Sequence, residues 1–140
     1  LATPVKRILI HYESTDAHSL VVLLKKISDS GIEPGVVLQM HTPLFVIDFL
    51  LQEVNIKTIQ LMGIAEIGYY GKIFNSKVIE RAHALHQIYP HVTLSVDGGV
   101  TLQNTPLLLR NGVERLVVGN AIFGSKSVKE TIEQFKKIIL

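Results

Sequence analysis

Two glycine-containing segments in the second half of the chain have the composition of an anion-binding site. Ser95–Val100 reads Ser-Val-Asp-Gly-Gly-Val, and Val118–Phe123 reads Val-Gly-Asn-Ala-Ile-Phe. Glycine has no side chain, so the backbone N–H groups of the first segment can approach an anion closely. The second segment predicts the start of a short helix, and a helix N-terminus favours phosphate. The predicted phosphate-binding residues are Gly98, Gly99, Gly119 and Asn120. The alternative is that these glycines only form tight turns.

Three other side chains stand where apolar segments end, which makes them candidates for chemistry. Asp97 follows Ser95-Val96, and a carboxylate at the end of a parallel strand is typical of a catalytic residue; the alternative is that it fixes its own turn. His11 ends the first apolar segment and points inward if side chains alternate along the strand, although a hydrogen-bonded core histidine is the competing interpretation. Met62 ends the third, and a core methionine is the simplest interpretation of it.

The elements that must position these residues alternate regularly along the chain. Short apolar segments, often β-branched, predict buried strands, and the segments between them have helical spacing and helix-capping residues. The predicted strands are Arg7–His11, Gly35–Gln39, Thr58–Met62, Thr93–Val96 and Arg115–Val118. The predicted helices are Asp16–Ser30, Pro43–Gln52, Ser76–Tyr89, Gln103–Asn111 and Ser127–Ile139.

Five consecutive βα units predict an α/β fold with a parallel sheet and right-handed crossovers. An open doubly wound sheet and part of a closed (β/α)8 barrel both fit this pattern. Glycines after two adjacent strands, followed by a short extra helix, match the phosphate site that barrels build after strands seven and eight. We therefore predict a TIM barrel of the ribulose-phosphate-binding type, represented by about five units that start at strand four. Residues 1–140 then form one partial domain that lacks three units.

In order and spacing, five segments of the chain resemble the ribulose-phosphate 3-epimerase family. The two glycine-containing segments resemble the end of the family's barrel. Ile10–Ser14 is similar to the family's Phe-His-x-Glu-Ala, and Gly35–Leu38 with Thr42-Pro43 is similar to its Gly-Val-Ala-Leu-Asn-Pro-x-Thr-Pro. The fifth segment, Leu61-Met62 with Gly68, Tyr69, Gly71 and Phe74, resembles the family's strand-six end and its Gly-Phe-Gly-Gly-Gln-x-Phe loop. The resemblance covers essentially the whole chain.

The resemblance implies interconversion of ribulose 5-phosphate and xylulose 5-phosphate by metal-assisted proton transfer at C3, a step of pentose phosphate metabolism. It implies a divalent metal, either zinc, iron or manganese, and makes Asp97 both a metal ligand and an acid/base residue. It also places His11 in the lining of the site and Met62 in an apolar wall near the metal. The other metal ligands and the second acid/base residue are expected in the missing N-terminal part. This chain alone is therefore expected to be inactive and to bind no metal in the family's manner.

The loop after the third predicted strand departs from the family pattern. The resemblance assigns Gly68, Tyr69 and Gly71 to substrate binding. Tyr70, however, replaces a glycine, and its side chain would hinder close approach of the backbone to phosphate. Lys72 offers a compensating charge. These differences leave open which sugar phosphate the protein binds.

Two other functions remain open at this point. One is a non-catalytic module that retains only sugar-phosphate binding. The other is a different phosphate-binding barrel enzyme, such as a decarboxylase or an isomerase of tryptophan or histidine biosynthesis.

The first residue is Leu1 rather than Met, which indicates a processed chain or a fragment. The end strands of an incomplete barrel have unpaired edges, which favours a homo-oligomer.

Composition excludes several functions. Hydrophobic residues make up 47% of the chain, which is enough for a core. The net charge is +2 without a basic stripe, so no nucleic-acid partner is predicted. The absence of cysteine excludes disulfides and thiolate zinc sites and favours the cytoplasm. No apolar segment is long enough to cross a membrane.

Overall fold

The computed structural model describes residues 5–64 and 73–140, which form five strands and six α-helices. The strands are β1 Arg7–His11, β2 Glu33–Leu38, β3 Thr58–Met62, β4 Thr93–Asp97 and β5 Val113–Val117. The helices are α1 Ala17–Asp29, α2 Val46–Glu53, α3 Lys77–Ile88, α4 Thr105–Arg110, α5 Asn120–Phe123 and α6 Val128–Ile139. All five predicted strands and all five predicted long helices are therefore confirmed, with some shifts of their ends.

The five strands form one parallel sheet in the order β1-β2-β3-β4-β5. Each strand therefore lies beside the next one in the chain. A doubly wound sheet would reverse its strand order partway, whereas a barrel keeps it sequential. One face of the sheet, which includes Val36, Ile59, Leu61, Leu94 and Val96, packs into the main hydrophobic core with the helices. Residues of the opposite face alternate with these, and this inner face carries the candidate site.

Local contacts explain where helices begin. Asp16 accepts a hydrogen bond from the N–H of Ser19 at 3.0 Å and so caps α1. Ser127 caps α6 in the same way through the N–H of Glu130. Helix α2 begins at Val46 rather than at the predicted Pro43, because the hydroxyl of Thr42 donates to Glu13 and does not cap the helix.

An ionic cluster lies on the inner face at the amino end of the sheet. Arg7 makes two hydrogen bonds to the carboxylate of Glu33, at 2.6 and 2.8 Å, and Thr58 donates to the same carboxylate at 2.6 Å. The pairing of Arg7 with Glu33 places the start of β2 two residues before the predicted Gly35. The hydrogen bond from Arg7 lowers the pKa of Glu33 to about 2; burial opposes this shift, and the Thr58 hydroxyl adds to it.

Replacing Glu33 with glutamine should lower the free energy of unfolding at pH 7 by about 1 kcal/mol, because two charge-assisted hydrogen bonds are lost from a partly exposed site. The unfolded glutamate titrates near pH 4.3. The stabilisation is therefore complete above about pH 5 and disappears as the pH falls toward 2. Urea unfolding from pH 7 to pH 3 measures both effects. Glu53→Gln, in the exposed pair with Lys25, is the matched control and should change stability by less than about 0.5 kcal/mol; equal losses in the two variants would contradict the assignment.

The strands β1 and β5 lie at the two ends of the sheet, so among the described residues each pairs on one side only. A groove of about 240 Å³ lies beside β5 and α6. Its lining includes Leu116, Val118, Ile122, Ile132 and Phe135. In the described part of the chain, no helix is long and apolar enough to cross a bilayer, and the longest, α1, has 13 residues.

Candidate functional site

The carboxyl ends of the strands bring three of the predicted site residues to one face of the sheet. Met62 pairs with Asp97, and Asp97 pairs with Val117, so these side chains lie side by side. His11 pairs with Val37, which pairs with Gln60, two residues before Met62. Because side chains alternate along a strand, His11, Met62 and Asp97 all belong to the inner face. His11 therefore faces the same side of the sheet as Asp97, and its contact with substrate stays a prediction.

Asp97 is the acidic residue at the carboxyl end of this inner face, and it is half-buried. Burial raises the pKa of its carboxyl group above the ordinary value, while the nearby His11 and the N–H of Gly98 act in the opposite direction. A raised pKa favours the protonated form of a carboxyl group compared with an ordinary surface aspartate. The environment of Asp97 thus fits the acid/base role that the sequence predicts for it.

Two residues that the sequence analysis missed hold Asp97 from within the sheet. The Nε2 of Gln60 donates to Oδ2 of Asp97 at 3.4 Å, and the hydroxyl of Ser95 donates to Oε1 of Gln60 at 3.3 Å. Both residues are buried. The second contact fixes the orientation of the Gln60 amide, which leaves its NH2 group for the carboxylate. The available signal was a glutamine in the middle of an otherwise apolar strand, which needs a polar partner when buried.

The turn after β4 requires glycine at both predicted positions. Gly98 has φ +105° and Gly99 has φ +67°, conformations that other residues rarely adopt. A Cβ on Gly98 would meet the side chain of Ile64 at 2.9 Å, and one on Gly99 would meet the Cα of Phe74 at 2.9 Å. The two glycines therefore let the chain turn tightly directly after Asp97, which agrees with the tight-turn interpretation and leaves phosphate binding as a prediction.

The turn after β5 lies beside the turn after β4. Asp97 pairs with Val117, so Gly98 and Gly119 are one and two residues beyond adjacent, paired strand ends. The predicted short helix is confirmed as α5, which begins at Asn120 with Gly119 before it. Both residues are exposed, and a Cβ on Gly119 would meet nothing within 4 Å. Space for a ligand group therefore exists at this turn.

Of the remaining predicted residues, the structure describes Met62 but not the three in the loop after β3. Met62 is only 6% exposed and packs with Val37 and Ile64 on the inner face, so it contributes to a small apolar cluster. The alternative that Met62 belongs to the core is thereby supported, and its contact with substrate stays a prediction. The predicted substrate-binding residues Gly68, Tyr69 and Gly71 lie outside the described residues.

The described residues do not by themselves fit a complete metal site. Within residues 5–64 and 73–140, no group of three or more histidine, cysteine, aspartate or glutamate side chains could hold a metal ion. Asp97 offers one carboxylate ligand at the inner face. The predicted metal role of Asp97 therefore depends on ligands beyond these residues.

The model of the Ribulose-phosphate 3 epimerase family matches residues 2–123 of the chain. The chain belongs to this family. A ribulose-phosphate 3-epimerase from Helicobacter pylori strain J99 is 35% identical over 120 residues, which cover 83% of this chain and 54% of that protein. The cytoplasmic isoform of the enzyme from Oryza sativa is 29% identical over 117 residues, 84% of this chain and 51% of that protein. This epimerase-family chain thus spans about half the length of the curated relatives it matches.

Solved structures confirm the fold of this epimerase-family chain. A crystal structure of 3-hexulose-6-phosphate synthase has a TM-score of 0.73 at 18% identity and covers 96% of this chain and 62% of its own. KGPDC from Streptococcus mutans, solved as a ligand complex, has a TM-score of 0.76 at 18% identity. It covers 96% of this chain and 61% of its own. These neighbours are TIM barrels, so the five units form a partial barrel, as the sequence predicts.

Proposed function

We propose that the complete protein containing these five units interconverts ribulose 5-phosphate and xylulose 5-phosphate. The observation that carries this proposal is the arrangement of Asp97, whose half-buried carboxyl group lies next to the Gly98-Gly99 turn and beside the turn at Gly119. A phosphate bound by main-chain N–H groups at these turns would fix one end of a sugar phosphate. The carbon chain would then extend toward the Asp97 carboxyl.

The proposed chemistry uses Asp97 on one face of C3. As a carboxylate it accepts the C3 proton, and as a carboxylic acid it returns a proton to that face in the opposite direction of reaction. Burial raises the pKa of this carboxyl group above its ordinary value, which favours the protonated form that the second step needs. A divalent zinc, iron or manganese ion, when bound, supplies positive charge that offsets the negative charge developing on the substrate oxygens. We propose Asp97 as one of its ligands, with the others and the second acid/base residue beyond the described residues.

Solvent exchange tests this function directly. Ribulose 5-phosphate incubated with the protein and a divalent metal in D2O should gain deuterium at C3 and form xylulose 5-phosphate, both visible by NMR. The matching relatives are named as ribulose-phosphate 3-epimerases, so we expect exchange at C3 before exchange at any other carbon. Decarboxylation or exchange at another carbon would instead identify a different barrel enzyme.

A non-catalytic sugar-phosphate-binding protein is the second candidate. It is favoured by the described residues, in which Asp97 stands without a group of three side chains that could hold a metal ion. This candidate predicts that ribulose 5-phosphate binds in a calorimeter with the same affinity with and without metal, and that no deuterium enters C3. Metal-dependent exchange at C3 would exclude it.

We also propose how the domain is assembled and where in the cell it acts. We infer that residues 1–140 act as one partial barrel domain whose free edges, at β1 and β5, are covered by further βα units or by a second copy of the chain. The apolar groove beside α6 supports such an association. One matching relative is a cytoplasmic isoform, and we place this activity in the cytoplasm, with sugar phosphates as the small-molecule partners.

A further inference from the structure

The two carboxylate oxygens of Glu13, in the short 3-10 turn after β1, have different partners. Oε1 accepts hydrogen bonds from the N–H of Gln39 at 2.9 Å and from the hydroxyl of Thr42. Oε2 instead faces Nδ1 of His11 at 3.7 Å. Both Oε2 and Nδ1 are buried, and among the described residues neither has a hydrogen-bond partner. Their separation is longer than a hydrogen bond, and each atom has the other as a near polar neighbour.

Glu13 is itself held in place by the loop between β2 and α2. Arg81 clamps the other side of this loop, since its Nη2 donates to the carbonyl of Thr42 at 2.7 Å and to that of Gln39 at 3.3 Å. Burial acts to raise the pKa of Glu13, but the hydrogen bonds from Thr42 and Gln39 outweigh it and hold the pKa below the ordinary value. Near neutral pH, Glu13 is therefore an ionised group that can only accept hydrogen bonds.

An ionised carboxylate beside Nδ1 selects one form of the neutral imidazole. A neutral histidine carries its proton on one nitrogen, and the hydrogen bond at the other nitrogen decides which. Only Nδ1–H can donate to Oε2 of Glu13, so Nε2 is left as an acceptor. The side chain of His11 is 36% exposed although Nδ1 is buried, so the open part of the ring lies away from Glu13. His11 also lies near Asp97, which faces the same side of the sheet.

We propose that Glu13 is a positioning residue that holds His11 with the proton on Nδ1, so that Nε2 accepts a hydrogen bond from a hydroxyl of the bound sugar phosphate. The ligand-binding half of this inference rests on the proposed function; the positioning half does not. A sugar phosphate gains a contact at Nε2 that inorganic phosphate, held at the glycine turns, does not make. Glu13 thereby contributes to recognition of the sugar through His11.

The 15N chemical shifts of the His11 ring test the positioning role, because protonated and unprotonated imidazole nitrogens differ widely in shift. At a pH where the ring is neutral, the wild-type chain should carry the proton on Nδ1. In Glu13→Gln the carboxamide NH2 group can donate to Nδ1, and the proton should move to Nε2. Thr42→Val is the matched control: it removes a partner of Oε1 but leaves Oε2 unchanged, so the wild-type form should persist.

Ligand-binding measurements on the same proteins test whether Nε2 of His11 contacts the bound sugar. Glu13→Gln should weaken binding of ribulose 5-phosphate about three- to tenfold and leave binding of inorganic phosphate unchanged, because Nε2 then carries the proton and can no longer accept the hydrogen bond that the hydroxyl donates. A wild-type ring protonated on Nε2 would overturn the proposal even if the Glu13→Gln variant fails to fold. Equal weakening for both ligands would also overturn it. The expected ring form in a chain that binds neither ligand would support the positioning role and contradict the phosphate site at the glycine turns.

Discussion

Replacement of Asp97 by asparagine should lower the rate of ribulose 5-phosphate epimerisation by the complete protein about 10²- to 10⁴-fold, the range of a general acid/base residue. Asparagine has nearly the same size and can still receive the hydrogen bond from Gln60, but it does not take up a proton at C3. Initial rates of xylulose 5-phosphate formation, at saturating metal and substrate, measure the effect.

The fold should survive this change. Asp97→Asn should retain the circular dichroism spectrum and bind inorganic phosphate as the wild type does, because the main chain of the Gly98-Gly99 turn is unaltered. Asp29→Asn, at the exposed C-terminal end of α1, is the matched control and should leave the rate unchanged. An Asp97→Asn protein that keeps a rate within about threefold of the wild type would remove Asp97 from the mechanism.

Gly63→Ala should lower the free energy of unfolding by about 2–4 kcal/mol, as overpacking against a rigid backbone does. A Cβ at this position would overlap the carbonyl oxygen of Gly98, which has no flexible end that could move away. The N–H of Gly63 also donates to the carbonyl of Asp97 at 2.6 Å, and its own carbonyl accepts from the N–H of Asn75 at 2.8 Å. The substitution therefore disturbs the strand ends that carry the candidate site.

Urea unfolding monitored by circular dichroism measures this loss. Gly119→Ala is the matched control, because a Cβ there meets nothing within 4 Å and the backbone has a negative φ. Its stability should stay within about 0.5 kcal/mol of the wild type, which is usual for surface substitutions. Equal stability of the two variants would show that the close approach of the chain at Gly63 and Gly98 is absent in solution.

The sequence predicts the fold well because a parallel sheet has a local signature. The β-branched apolar segments at Thr58–Met62 and Arg7–His11 matched their strands to the residue. The misplaced starts of β2 and α2 have non-local causes. Arg7 draws Glu33 into the sheet, and Glu13 engages Thr42. Such contacts join residues about 25 to 30 positions apart and cannot be read from one segment.

The candidate site was predictable only in part for the same reason. Asp97 and the glycine turns follow strand ends, so their positions were clear from the order of elements. The contacts of Gln60 with Ser95 and Asp97 depend on the pairing register of β3 and β4, which the sequence does not reveal. Likewise, the proximity of Glu13 to Nδ1 of His11 requires the coordinates of the turn after β1.

The most direct test of the central claim is an NMR titration of the 15N-labelled 140-residue chain with ribulose 5-phosphate. We predict that the largest amide shift changes occur at Gly98, Gly99, Gly119 and Asn120, where the phosphate would bind main-chain N–H groups. Asn120→Asp should weaken binding about tenfold or more by charge repulsion, with no loss of stability, because an acidic residue at a helix N-terminus is favourable. Shift changes confined to other residues, or equal binding by Asn120→Asp, would contradict the phosphate site.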